Sequence, residues 1–239
     1  HPTIGSSGMV VSQNQASSDI GVEILNMGGN AIDAAVAVGF SLATTLPRAG
    51  NLGGGGFMLI YLSDEQKTIA VDFRSSAPKG ISEDEFLFLK KNYDQRRFGY
   101  KASGVPGTVA GLLQTHQRYG KLPLKKILQP VILQASKGIL VTYDLNQAIG
   151  SAHQINLDEE SKKIYHQNES PVIEHALMKR PDLAWTFREI ARKGEDAFYK
   201  GSIAKKIVKA MQQNGGYITR EDLEDYKPRF AEPIQTTYR

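Results

Sequence analysis

The stretch RAGNLGGGGFMLIY, Arg48 to Tyr61, sets four consecutive glycines directly before an apolar run. A P-loop needs Lys and Ser/Thr after its glycines at the opening of a helix, and a dinucleotide fingerprint needs a strand before and a helix after. Here the order is reversed. Asn30 offers a cap oxygen to a helix predicted from Ala31 to about Thr45, Pro47 stops it, and the residues after the glycines read as strand. No Lys-Ser/Thr pair follows, and no helix N-terminus is placed there to bind an anion. The glycines therefore read as a tight crossing that admits the backbone closely between packed layers, since glycine lacks a Cβ.

Upstream of the crossing, Ser17, Ser18 and Asp19 offer N-cap oxygens to a first helix carrying Ile20, Ile24 and Leu25, which Gly28-Gly29 ends. The helix that follows is rich in Ala, Val and Leu nearly all round, so it is predicted to be buried, with Asp33 favourable to its first turn. Downstream, Phe57 to Leu62 and Thr68 to Phe73 read as strands joined by Ser63-Asp64-Glu65-Gln66. Period-two alternation puts Ile69, Val71 and Phe73 on one face, and Ala70, Asp72 and Arg74 on the other. Glu83 to Lys91 reads as a surface helix.

From Gly104 onward the texture is helical. Pro106 opens a helix through Thr108 to Tyr119, and Leu122 to Lys137 is another, bent or split at Pro130 and capped by Gly138. Asp144 to Gln167 is polar and carries no clear period. Asp182 to Arg192 and Ser202 to Gln213 are helices, and Thr219 with Glu221-Asp222 starts a short one. With strands early and helices late, residues 1–239 are expected to form a single α/β domain.

Composition removes several function classes. The chain has 29 basic and 25 acidic side chains, interspersed along its length. A nucleic-acid binder gathers its charge on one face and adds aromatics for stacking, so nucleic acid is not an expected partner. There is no cysteine, which excludes disulfides, thiolate nucleophiles and thiolate metal sites. The longest apolar stretch, Ala34 to Leu46, is shorter than the ~20 residues that span a bilayer, so no membrane span is expected. The chain opens at His1 without Met or signal peptide, as a processed or trimmed polypeptide does.

Few residues carry chemistry. His116, His153, His166 and His175 lie far apart, and none belongs to an HxxEH or HxH pattern. No GxSxG elbow is present. Asp158-Glu159-Glu160 and Glu221-Asp222 read as solvated faces or helix starts. Arg74 stands out: an arginine at a strand end suits bidentate capture of a carboxylate. It equally suits a structural ion pair with Asp72 or a neighbour, with Asp72 orienting it.

The ordered segments are more specific than any single residue. GMVVSQNQASSDIGVEILNMGGNAIDAAVAVGFSLATTLPRAGNLGGGGFMLIY, VDFRSSAP, ASGVPGTVAGLLQTHQRYGKLPL and DAFYKGSIAKKIVKAMQQNGGYITREDLEDYKPR occur in that order from about Gly8 to the C-terminus. Together they resemble the large subunit of bacterial γ-glutamyltranspeptidase. The resemblance implies an α/β (α+β) fold of the N-terminal-nucleophile hydrolase kind, an αββα four-layer sandwich of which this chain is the large-subunit part. It implies a precursor that cuts itself into large and small subunits, freeing a threonine nucleophile at the start of the small one. The expected reaction transfers the γ-glutamyl group of glutathione or related amides to water or an acceptor amine, without metal or organic cofactor. The expected partner is the small subunit of the same precursor, and the expected location is the periplasm or beyond.

Carried over residue by residue, the resemblance assigns Arg74, in the DFR-x-x-AP motif, to the α-carboxylate of the γ-glutamyl donor. No catalytic residue is assigned to this chain. An N-terminal threonine must begin a chain to use its own α-amine as base, and Thr236-Thr237-Tyr238 sits in a context, KPRFAEPIQTTYR, that matches a segment well upstream of the processing junction. The oxyanion-hole donors and the groups that hold the donor's amine belong to the small subunit. Arg48 stands where close bacterial relatives often carry glutamine. Two other readings are carried forward: a related acylase acting on cephalosporin side chains or polyglutamate, and a non-catalytic homologue.

Overall fold

The computed structural model describes residues 4–153 and 158–238; residues 1–3, 154–157 and 239 and the His153 side chain lie outside the described residues. The chain begins with α1 (Gln15–Asn26), α2 (Ala31–Thr45), β1 (Phe57–Leu62) and β2 (Lys67–Asp72). There follow α3 (Glu83–Lys91), α4 (Tyr93–Arg97), α5 (Thr108–Tyr119), α6 (Leu124–Lys137), β3 (Ile139–Leu140), α7 (Tyr143–His153) and α8 (Glu159–Tyr165). The remainder is β4 (His166–Gln167), β5 (Ser170–Pro171), β6 (Leu177–Met178), α9 (Pro181–Lys193), α10 (Glu195–Tyr199), α11 (Ser202–Gln213), α12 (Arg220–Asp225) and β7 (Arg229–Ala231). These elements divide between two compact units, His1–Asn51 with Tyr119–Lys193, and Leu52–Arg118 with Gly194–Arg239.

The first unit is helical. The N-cap of α1 is Asn14, whose side chain accepts from Ser17 N–H, rather than the serines or Asp19 of the sequence reading. Ser17 and Ser18 lie inside the helix with their hydroxyls engaged elsewhere: Ser17 Oγ is 2.7 Å from Ser41 Oγ and 2.8 Å from Thr45 Oγ1, and Ser18 Oγ is 2.8 Å from Ser12 Oγ. Ser41 in turn donates to Gln134 Oε1 at 2.7 Å, so α1, α2 and α6 share one satisfied hydroxyl network. Helix α2 begins at the expected cap. Asn30 and Asp33 form a reciprocal capping box there. Asp33 is fully buried and also accepts from the N–H groups of Lys121 and Leu122. Pro130 does not split α6, which continues to Lys137 and ends at Gly138 with φ 98°.

Phe40 of α2 and Phe187 of α9 meet edge to face with ring centroids 5.9 Å apart, and both are completely buried. The polar stretch after α6 becomes structure through a second, smaller cluster. Leu145 and Ile149, one turn apart on α7, close over Ile139, Val141, Val172 and Met178 beside the paired strands β3 and β6.

The second unit holds the three-stranded sheet. Strands β1 and β2 pair antiparallel from Phe57↔Asp72 to Leu62↔Lys67, and Gly56 and Phe73 extend the ladder by exchanging N–H···O bonds of 3.2 and 2.9 Å. The predicted alternation holds: Ile60, Ile69, Val71 and Phe73 are buried, while Phe57, Leu59 and Tyr61 are exposed on the opposite face. Strand β7 joins the far edge of β2 through Ala70↔Ala231 to Asp72↔Arg229, giving the order β1-β2-β7. Three residues of sequence are too few to show a period, so β7 is visible only in the fold.

Candidate functional site

The glycine run builds the ground on which Arg74 stands. A Cβ on Gly55 would lie 2.4 Å from both Phe73 O and Ser75 N, and 2.8 Å from Arg74 C. Only glycine lets these two backbones pass so closely. Gly54 O accepts from the N–H groups of Gly107 and Thr108 at 2.8 and 3.1 Å. The run does meet a helix N-terminus, that of α5, but it fills the position with a carbonyl, where a phosphate-binding loop offers N–H groups. The crossing is architectural, as its order along the chain implied.

Arg74 follows β2 and is exposed. Its N–H donates to Asp72 Oδ1 at 3.0 Å, and its C=O accepts from the Tyr226 hydroxyl at 2.8 Å. The guanidinium carbon lies 5.9 Å from the centroid of the Phe57 ring, the residue opposite Asp72 in the ladder. Asp72 thus meets the arginine through its backbone and not through an ion pair. Among the described residues no carboxylate pairs with the Arg74 guanidinium. The result is a fixed main chain with a cation whose five donors are open to a planar acid.

The other candidates are engaged locally. Arg48 pairs with Asp144, its Nη2 meeting the two carboxylate oxygens at 2.8 and 2.9 Å, on the exposed rim of a hollow bordered by Pro47, Leu145, Ile149 and Tyr165. Asp158 caps α8 through the N–H groups of Glu160 and Ser161. Asp222 is the third residue of the capping box on α12, accepts from Lys79 N–H at 2.8 Å, and is only 4% exposed. Burial pushes its carboxyl up, but the hydrogen bonds from Lys79 and Thr219 outweigh that and hold it below the usual range. His116 lies half-buried on α5, His166 in β4 and His175 in a turn with φ 65°. Among the described residues no three His, Asp or Glu side chains gather closely enough to hold a metal ion. None of the helices described is long and apolar enough to cross a membrane.

Tyr226 is the site residue that sequence reasoning missed. It lies 152 positions from Arg74, a separation no local pattern bridges. The available signal was indirect: a strong helix start at Thr219 followed, one short helix later, by an aromatic residue that needs a hydroxyl partner when buried.

Comparison with known proteins agrees with this geometry. The family model for γ-glutamyltranspeptidase matches residues 17–239. The glutathione hydrolase proenzyme of Escherichia coli K12 is 43% identical over 243 residues, covering all of this chain and 42% of that protein. The chain thus spans under half the length of this curated relative. The crystal structure of Helicobacter pylori γ-glutamyltranspeptidase superposes with a TM-score of 0.94 at 37% identity, over the whole of this chain and 69% of that one. The Pseudomonas nitroreducens γ-glutamyltranspeptidase, complexed with L-DON, superposes at 0.89 with 39% identity, over 98% of this chain and 69% of its own. The fold is accordingly the mixed α/β fold of the N-terminal-nucleophile hydrolases. By the family model and by these relatives alike, the chain belongs to the γ-glutamyltranspeptidase family.

Proposed function

We propose that this chain supplies the carboxylate anchor of a γ-glutamyl-transferring hydrolase, and that Arg74 is that anchor. The observation that carries the reading is the state of the side chain: exposed, fixed at its backbone, and paired with no described carboxylate. A free amino-acid carboxylate calls for a planar partner with two parallel donors, which guanidinium offers and ammonium does not. Held there, a γ-glutamyl donor has its γ-carbonyl fixed at a set distance from the anchor, which turns attack on that carbonyl into an oriented, intramolecular-like step.

In this reading the nucleophile belongs to a small subunit cut from the same precursor, in keeping with the proenzyme relatives. Its N-terminal threonine adds its hydroxyl oxygen to the γ-carbonyl carbon while its own α-amine takes the proton. The amine of the leaving group departs with that proton, giving a γ-glutamyl-threonine ester. Water or an acceptor amine then attacks the ester and frees the threonine. The chain on its own turns over no substrate. The exposed Phe57, Leu59 and Tyr61 on β1, and the outer edge of that strand, support docking of a second sheet there. We place residues 1–239 in one interleaved domain with the small subunit, acting in the periplasm or outside the cell.

The test is kinetic, in the complete processed enzyme with γ-glutamyl-p-nitroanilide. Arg74→Ala is expected to raise KM by about 100-fold, the loss of a charge-assisted bidentate contact of ~3 kcal/mol. Arg74→Lys, a point charge without the fork, recovers only part of it. Near-normal KM in both variants contradicts the assignment.

A further inference from the structure

Arg74 is useful as an anchor only if its guanidinium is aimed, and a side chain with four rotatable bonds is aimed first by its main chain. That main chain is held on both sides of the Cα by side chains. Asp72 Oδ1 takes the N–H at 3.0 Å and Tyr226 gives its hydroxyl proton to the C=O at 2.8 Å. Tyr226 is itself immobilised: it is 9% exposed and stacks on Tyr199, ring centroids 5.9 Å apart and planes 9° from parallel. Tyr199 is pinned in turn, donating to Pro106 O at 2.8 Å and accepting from Ala110 N–H at 3.1 Å. Gly107 leaves the room for this arrangement, because a Cβ there would lie 2.0 Å from Phe73 O and 2.2 Å from Tyr226 Oη.

The segment leaving Arg74 is tied to the same helix a second time. Asp222 Oδ1 accepts from Lys79 N–H at 2.8 Å, and Lys79 Nζ reaches Glu221 and Asp225. Residues 74 and 79 are thereby fastened to the two ends of α12, whose own start is locked by the Thr219–Asp222 capping box. Burial, with the Asp72 carboxylate nearby, pushes the Tyr226 hydroxyl up to about 12, so it remains a proton donor at neutral pH.

We propose that Tyr226, with Asp72, is a positioning residue for substrate recognition: it fixes the Arg74 peptide so that the guanidinium meets the donor's α-carboxylate. This rests on the assignment of Arg74 as the anchor. Tyr226 touches no substrate, and its effect on binding passes through Arg74 alone.

A double-mutant cycle in the complete processed enzyme separates the two claims, with γ-glutamyl-p-nitroanilide as the probe and kcat/KM read where saturation is not reached. Tyr226→Phe keeps the stacked ring and removes only the donor. It is expected to raise KM about tenfold, the loss of one buried hydrogen bond, with kcat held within about twofold. In the Arg74→Ala background the same change is expected to shift kcat/KM by less than about twofold, since the group it positions is gone. An unchanged KM in Tyr226→Phe, or an equal loss in both backgrounds, overturns the proposal; the second result marks a merely structural role. Wild-type KM in Arg74→Ala overturns the anchor itself, and raised KM there with no effect of Tyr226→Phe overturns the positioning role alone. If Tyr226→Phe fails to mature, Asp72→Ala carries the same cycle, with the same expected and contrary results.

Discussion

Arg48 in the helical unit and Arg74 in the strand unit, both exposed, are treated in opposite ways. In the helical unit, Ser17, Ser41, Thr45 and Gln134 satisfy one another, and the buried Asp33 serves the N–H groups of Asn30, Lys121 and Leu122. Even its exposed arginine beside the glycine run, Arg48, is paired with Asp144. In the strand unit side chains hold backbone as well, as Asp72, Tyr226 and Asp222 do, but the Arg74 guanidinium is left open beside an exposed row of Phe57, Leu59 and Tyr61. A group that is paired stabilises the chain that carries it; one that is positioned yet unpaired is available to something else. On this division, substitutions in the helical unit are expected to act on stability and, if Arg74 is the proposed anchor, those around it on recognition.

Phe187→Ala bears hardest on that division. It empties a fully buried ring site against Phe40 and is expected to cost about 3–5 kcal/mol in stability, with KM for a γ-glutamyl anilide unchanged in whatever enzyme folds. A shift of KM without loss of unfolding midpoint means the units are not so separate in function. Gly107→Ala comes next. Its methyl presses on Phe73 O and Tyr226 Oη, so it is expected to cost about 1–3 kcal/mol and also to raise KM, unlike Phe187→Ala.

Asp222→Ala removes a cap and the acceptor for Lys79 N–H, and about 2 kcal/mol of stability is expected to go with it. Because the folded state holds this carboxyl below the usual aspartate value of 3.8, its contribution is complete above that pH and is lost as pH falls through the lower, folded value. The wild-type and Asp222→Ala unfolding midpoints should converge only in that acid range; convergence near neutrality contradicts the assignment. Arg48→Ala is expected to do least. An exposed ion pair contributes less than about 1 kcal/mol, and neither KM nor midpoint should move much.

The sequence carried the parts of this architecture that local chemistry determines. The start of α2 at Asn30, the hairpin alternation that buries Ile69, Val71 and Phe73, and the span of α5 all follow from caps, period and a stop signal. At the start of α1 the serines look like cap residues, but Asn14 takes that place, while Ser17 is engaged by Ser41 and Thr45 of α2, tertiary partners that outweigh local preference. Pro130 was expected to bend or split α6, but the helix continues through it as one element. The polar stretch 144–167 hid α7 and α8 because, among its described residues, only Leu145 and Ile149 are buried. For the site, sequence pointed to Arg74 as a residue suited to carboxylates, but left an ion pair with Asp72 equally open. Only coordinates show that Asp72 holds the backbone instead, and that Tyr226 completes the hold from 152 residues away.

What Arg74 recognises is tested most directly by changing the substrate and the residue together. The measurement is kcat/KM for a γ-glutamyl anilide and for the same compound with its α-carboxylate converted to a carboxamide, in the complete processed enzyme and in Arg74→Ala. An anchor for that carboxylate predicts strong discrimination by the wild type, about 100-fold, and its near-complete loss in Arg74→Ala. Discrimination that survives intact in Arg74→Ala would show that the carboxylate is read elsewhere.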